Sequence, residues 1–85
     1  MPIVTRKTTD DEPIGADGRT WVLWAIAQIE AALHAGDEPP RFQRRNPWAF
    51  WLLAREVDED PWLSERVEID VRGCGVYWKR RRRRS

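Results

Sequence analysis

Two residues of this chain have side chains that often act as nucleophile and base, and each residue type occurs only once. His34 is the single histidine, and Cys74, 40 positions later, is the single cysteine. A Cys-His pair could support nucleophilic catalysis, but neither residue belongs to a catalytic motif. The interpretation we favour places His34 near a helix C-terminus, where positive charge is favourable, and Cys74 at the tip of a hairpin. We therefore predict no enzymatic activity.

Metal and cofactor sites are not predicted either. One histidine and one cysteine cannot complete a tetrahedral zinc site, and the carboxylates lack the spacing of a calcium loop. The Gly-Cys-Gly sequence at residues 73–75 precedes a predicted strand, whereas a phosphate-binding loop precedes a helix N-terminus. We expect a chain without cofactor or metal.

A run of six basic residues is the sharpest feature of the sequence: Lys79, Arg80, Arg81, Arg82, Arg83 and Arg84. Contiguous cations repel each other, so the run should not fold without a partner. It could bind nucleic-acid phosphate through counterion release. Acidic protein surfaces, anionic membranes and nuclear import receptors also accept such clusters. The alternative is a solubilising tail that associates loosely with the acidic clusters of this chain.

The rest of the chain is acidic. Removing those six residues from the 15 basic ones leaves nine against 14 acidic residues, a net charge of −5. A basic DNA-binding domain would instead show positive charge across one face. The tail is therefore interpreted separately from the body.

A second basic patch surrounds Phe42 and consists of Arg41, Arg44 and Arg45. With Phe42 stacked on a base and the arginines on phosphate, the patch would suit single-stranded nucleic acid. The alternative, which we favour, is a solvated loop with Phe42 in the core.

The number of large apolar side chains is greater than two short helices and a hairpin are expected to bury. The surplus consists of Trp24, Trp48, Trp51 and Trp62. Tryptophan and arginine are enriched at binding hot spots, so these residues predict a face that binds a protein partner, and a homodimer is one form of it. The alternative, of equal weight, is that they form the core.

The first helix is predicted over residues 18–35. Asp17 is suited to cap its N-terminus, and Gly36 is suited to a left-handed C-terminal cap. Between them, apolar residues recur at spacings of four, three and four: Val22, Ile26, Ile29 and Leu33. This periodicity indicates one buried stripe.

The second helix is predicted over residues 47–57, because Asn46 followed by Pro47 is a helix start signal. It is apolar nearly all round, so it must pack on more than one surface. Asp60 and Pro61 then open a single short turn.

Residues 66–79 change to alternating apolar and polar side chains, which indicates a β-hairpin with its connection at 73–75. We predict an α+β fold in which the two helices pack on this C-terminal hairpin. It comprises a flexible N-terminal arm (1–16), one globular domain (17–78) and the basic tail (79–85). The alternative is a winged helix, against which the acidic flank of the third helix argues.

Length and composition fix the broad class. A chain of 85 residues supports one domain. A single cysteine excludes an internal disulfide and fits a reducing compartment. We find no signal-peptide core and no apolar run of membrane-spanning length, so we expect a cytoplasmic protein without a membrane partner.

These observations favour a small, tryptophan-rich, non-catalytic binding protein of adaptor or inhibitor type, docking on a protein partner through its aromatic face and aided by its tail. Such domains are often encoded by phages or mobile elements, anti-CRISPR proteins among them, which is a base rate only. The alternative is a nucleic-acid-binding protein that uses the tail and the 41–45 loop. A structural component of a phage or other assembly is third.

Overall fold

A computed structural model describes residues 12–79 of the chain. Within this range the elements are α1 (Gly18–Ala35), α2 (Pro47–Glu59), α3 (Pro61–Ser64), β1 (Val67–Asp70) and β2 (Gly75–Trp78). The predicted α+β fold, with two main helices packed on a C-terminal hairpin, is confirmed. Most of the predicted arm and all of the predicted tail after Lys79 lie outside the described residues.

Helix α1 begins and ends at its predicted caps. The side chain of Asp17 accepts a hydrogen bond from the Thr20 amide at 2.9 Å, which satisfies one of the free N–H groups of the first turn. Gly36 adopts a left-handed conformation with φ of 72°, which a residue without Cβ adopts at little cost. The two caps fix the length of α1.

Helix α2 begins as predicted but ends two residues later than predicted. The Asn46 side chain accepts a hydrogen bond from the Trp48 amide at 2.9 Å. The acidic residues after Val57 do not end the helix, since charged side chains are tolerated on its exposed surface. It ends at Glu59 because Pro61 forces the preceding Asp60 out of the helical region. The Asp60 side chain then caps the single turn of α3.

The hairpin pairs β1 and β2 in antiparallel register, with Val67 opposite Trp78 and Ile69 opposite Val76. Its connection is residues 71–74, so Val71, which we predicted in the first strand, lies in the turn. The residue with positive φ is Cys74, at 55°, and not one of the flanking glycines. A left-handed residue at the end of the turn lets the chain reverse into β2.

The core is built around Trp21, which is fully buried. Its ring centroid lies 5.0 Å from that of Phe50 and 5.4 Å from that of Phe42. Leu53 and Val67 are also buried, so both main helices and the hairpin contribute to one core. Aromatic pairs at such separations add stability beyond the area they bury.

The winged-helix alternative requires a third helix long enough to enter a groove of DNA. Helix α3 has four residues, a single turn, and its Leu63 is buried. It is therefore too short for that role.

None of the helices within residues 12–79 is long and apolar enough to span a membrane.

Candidate functional site

The outward side of α2 carries the two most exposed tryptophans among residues 12–79. Trp48 is 60% exposed and Trp51 is 47% exposed, although the core is already filled by other side chains. The Arg55 guanidinium lies 5.3 Å from the Trp51 ring centroid and 3.7 Å from the Glu59 carboxylate. We call Trp48, Trp51, Leu52 and Arg55 the α2 outer face.

A groove runs between the α2 outer face and the first turns of α1. Its volume is about 490 Å³, and its apolar wall is formed by Val22, Trp48 and Leu52. A Cβ on Gly18 would lie 2.9 Å from Cζ3 of Trp48 and 3.1 Å from Cδ1 of Leu52. The missing side chain at position 18 therefore allows the Trp48 ring to lie against α1. We call this feature the α1–α2 groove.

Charged side chains surround the α1–α2 groove: Asp17, Arg19, Arg55, Glu56 and Glu59. Hydrogen bonds from Thr20 hold the pKa of the Asp17 carboxyl below its ordinary value. Desolvation acts in the opposite direction and is weaker, and the positive charges of Arg19 and Arg44 lower the pKa slightly further. The groove thus combines an apolar floor with a charged rim, the composition typical of a protein interface.

The four tryptophans predicted to bind a partner are not brought together. Trp48 and Trp51 share the α2 outer face, whereas Trp24 is half-buried and its ring lies 5.4 Å from Phe42. Trp62 is stacked on His34 at 5.3 Å, and the Arg66 guanidinium lies 4.6 Å from its ring. Trp48 and Trp51 are therefore the candidate anchors for a protein partner.

The three arginines of the predicted basic patch have different environments in the structure. Arg44 is half-buried, donates a hydrogen bond to the Ala16 carbonyl at 3.0 Å and lies over the Trp21 ring. Its Nη1 is buried without a hydrogen-bond partner among residues 12–79. Arg45 donates to the Cys74 carbonyl at 3.2 Å, and Arg41 is exposed. Arg44 supports the fold, while the other two remain at the surface.

Phe42 is only 4% exposed, as the favoured alternative predicted. Its ring packs against Trp21, Trp24 and Phe50. A base therefore cannot stack on it without opening the core, and this part of the nucleic-acid hypothesis is wrong.

Lys79 is the one residue of the predicted tail within the described range. Its Nζ donates a hydrogen bond to the Ser64 carbonyl at 2.8 Å, and its amide donates to the Arg66 carbonyl. The other predicted tail residues lie outside the described range: Arg80, Arg81, Arg82, Arg83 and Arg84.

His34 and Cys74 belong to separate local structures. His34 stacks on Trp62, and the buried Cys74 thiol lies 3.8 Å from the Val71 carbonyl oxygen. In the described part of the chain, no three His, Cys, Asp or Glu side chains are grouped as metal ligands would be.

Sequence reasoning missed Glu12, which it assigned to the arm. Glu12 is 9% exposed, and its carboxylate accepts hydrogen bonds from the Trp21 indole and from the Gln43 and Arg44 amides. No local pattern signals these partners, because two of them lie more than 30 positions away. The folded domain therefore includes Glu12 to Ala16.

No protein-family model, curated protein sequence or solved structure matches this chain.

Proposed function

We propose that the protein is a small non-catalytic binding protein of adaptor or inhibitor type, which docks on a protein partner through the α2 outer face. The observation that carries this proposal is the exposure of Trp48 and Trp51 beside a groove, in a domain whose core is already complete. Truncating one such side chain to alanine costs about 2 kcal/mol or more of binding free energy when it is a central anchor.

The composition of the surface supports a protein partner. The Arg55 guanidinium covers one side of the Trp51 ring, and tryptophan and arginine are both residue types enriched at interface hot spots. The groove is open and about 490 Å³ in volume, large enough to receive one or two apolar side chains of a partner. Glu56 at its rim is suited to a basic residue of that partner.

The basic run at residues 79–84 has a separate role in this proposal. Its six positive charges steer the protein toward an acidic region of the partner and raise the association rate, while the aromatic contact determines the dissociation rate. The free, buried thiol of Cys74 supports a reducing, cytoplasmic location. Small binding domains of this kind are often encoded by phages or mobile elements, and the proposal includes such an origin for this protein on that frequency alone.

Site-specific photo-crosslinking tests the proposal directly. A benzophenone amino acid replaces Trp51, or in the matched control replaces Tyr77, which is exposed at 53% on the hairpin. We expect position 51 to give a discrete protein adduct in host lysate and position 77 to give none of the same mass. Identical adducts from both positions, or none from position 51, would contradict docking through α2.

A second step connects the adduct to the aromatic contact. The protein identified by mass spectrometry is purified and its affinity for Trp51→Ala and Tyr77→Ala is compared. We expect the Trp51 variant to bind about thirtyfold less tightly, the equivalent of about 2 kcal/mol, with the control unchanged. Thermal unfolding of both variants shows whether the fold is intact.

A further inference from the structure

A second pocket lies on a different part of the molecule, between the connection before α2 and the turn of the hairpin. Its volume is about 420 Å³, and its walls include Arg41, Arg45 and Tyr77. We propose that this pocket binds one nucleotide of single-stranded nucleic acid, with the two arginines on the phosphodiester and the Tyr77 ring stacked on the base. This activity is independent of the α2 outer face.

Arg45 is held in place for contact with an anion. Its Nη1 donates to the Cys74 carbonyl at 3.2 Å, which fixes the guanidinium at the pocket wall and leaves most of its five donors unused. Arg41 is exposed on the same wall. Among residues 12–79 neither arginine forms an ion pair, so no carboxylate of the described residues competes with an incoming anion at close range.

Tyr77 offers the aromatic surface that Phe42 does not. Its side chain is on the outward face of the hairpin and is 53% exposed. The hydroxyl lies 3.1 Å from the position that a Cβ on Gly75 would take, so the glycine lets the ring lie back over the turn. Base stacking on an exposed aromatic ring tolerates any base, because every base has a π face.

The charge of the pocket favours a phosphodiester. Glu38 is also part of the wall, so the two arginines and this carboxylate sum to one positive charge. A phosphodiester carries one negative charge, whereas a terminal phosphate carries nearly two near neutral pH.

The test uses the full chain and a fluorescein-labelled oligothymidylate of about eight nucleotides, within the usual site size of such proteins. Fluorescence anisotropy reports affinity from about 50 to about 200 mM salt. Tyr77→Ala should weaken binding about tenfold, and Tyr77→Phe, which keeps the ring, should not. Replacing the bases by abasic sites should remove the difference between Tyr77→Ala and the unchanged chain.

Charge variants separate the pocket from the rest of the basic surface. Arg41→Gln should reduce the magnitude of the slope of log affinity against log salt by about 0.7. Arg66→Gln, which removes a partly exposed cation just before β1, at the end of the hairpin away from its turn, should leave affinity and slope unchanged. Equal affinity for Tyr77→Ala and the unchanged chain would overturn the proposal and assign any binding to the basic run. Equal weakening of the binding of a labelled glutamate octapeptide by Tyr77→Ala would also overturn it, because that probe carries no base.

Discussion

The indole Nε1 of Trp21 donates a hydrogen bond of 2.8 Å to the carboxylate of Glu12. The same carboxylate accepts bonds from the amides of Gln43, at 2.6 Å, and Arg44, at 3.1 Å. One buried acidic side chain therefore connects the segment before α1, the core tryptophan and the connection before α2. Because this connection also forms the second pocket, Glu12 helps to position both α1 and Arg45.

Glu12→Gln should destabilise the domain. The amide nitrogen cannot accept a hydrogen bond, so at least one of the three donors, which are buried or part-buried, loses its partner, at a cost of about 1 to 3 kcal/mol. Urea unfolding followed by circular dichroism measures the difference. Glu68→Gln, at an exposed position on β1, is the matched control and should change stability by less than about 0.5 kcal/mol. Equal effects of the two variants would contradict the role of Glu12.

Tryptophans of the core and of the α2 outer face should differ in their effects on stability. Trp21→Phe should cost more than Trp51→Phe, because Trp21 is fully buried and bonded to Glu12, whereas Trp51 is about half exposed. The measurement is the free energy of unfolding in urea. A larger loss for Trp51→Phe would mean that the outer face belongs to the core.

The exposures can be measured individually by labelling the six tryptophans with 5-fluorotryptophan. The ¹⁹F shift difference between H₂O and D₂O reports solvent contact. We expect the largest difference at Trp48 and almost none at Trp21, with each resonance assigned by a Trp→Phe variant. A small difference at Trp48 would contradict an open α2 outer face.

Gly18→Ala should move the Trp48 ring and leave the fold intact. The added Cβ would lie 2.9 Å from the ring, and an exposed side chain can rotate away where a buried one cannot. In the ¹⁹F spectrum the Trp48 resonance should shift and that of Trp21 should not. A cooperative loss of structure would show instead that the ring is fixed against α1.

The charge of Asp17 should contribute to stability in a defined pH range. Because the pKa of Asp17 is lowered in the fold, the stabilisation is present above its ordinary pKa of 3.8 and is lost as pH falls through the lower, folded pKa. The stability difference between the unchanged chain and Asp17→Asn should therefore shrink at acid pH. A difference that grows on acidification would contradict this cap.

Much of the fold was predictable from local signals. The caps at Asp17, Gly36 and Asn46 depend on residues within a few positions, as does the alternation of side chains on β1. Val71 was misplaced because alternation continues by one residue past the last strand pair. Turn geometry ended the strand there, and apolar periodicity does not report it.

The candidate sites were less predictable. Sequence could not separate Trp24, which packs on Phe42, from Trp51, which does not, because both are apolar residues on apolar helices. The pairing of Arg45 with the Cys74 carbonyl spans 29 positions. Such contacts follow from the packing of whole elements, and no spacing within one element encodes them.

Dissociation kinetics test most directly whether the α2 outer face holds a protein partner. With the partner identified by crosslinking, Trp51→Ala should raise the dissociation rate about thirtyfold, whereas deletion of residues 80–85 should chiefly lower the association rate. An unchanged dissociation rate for a folded Trp51→Ala variant would contradict the claim.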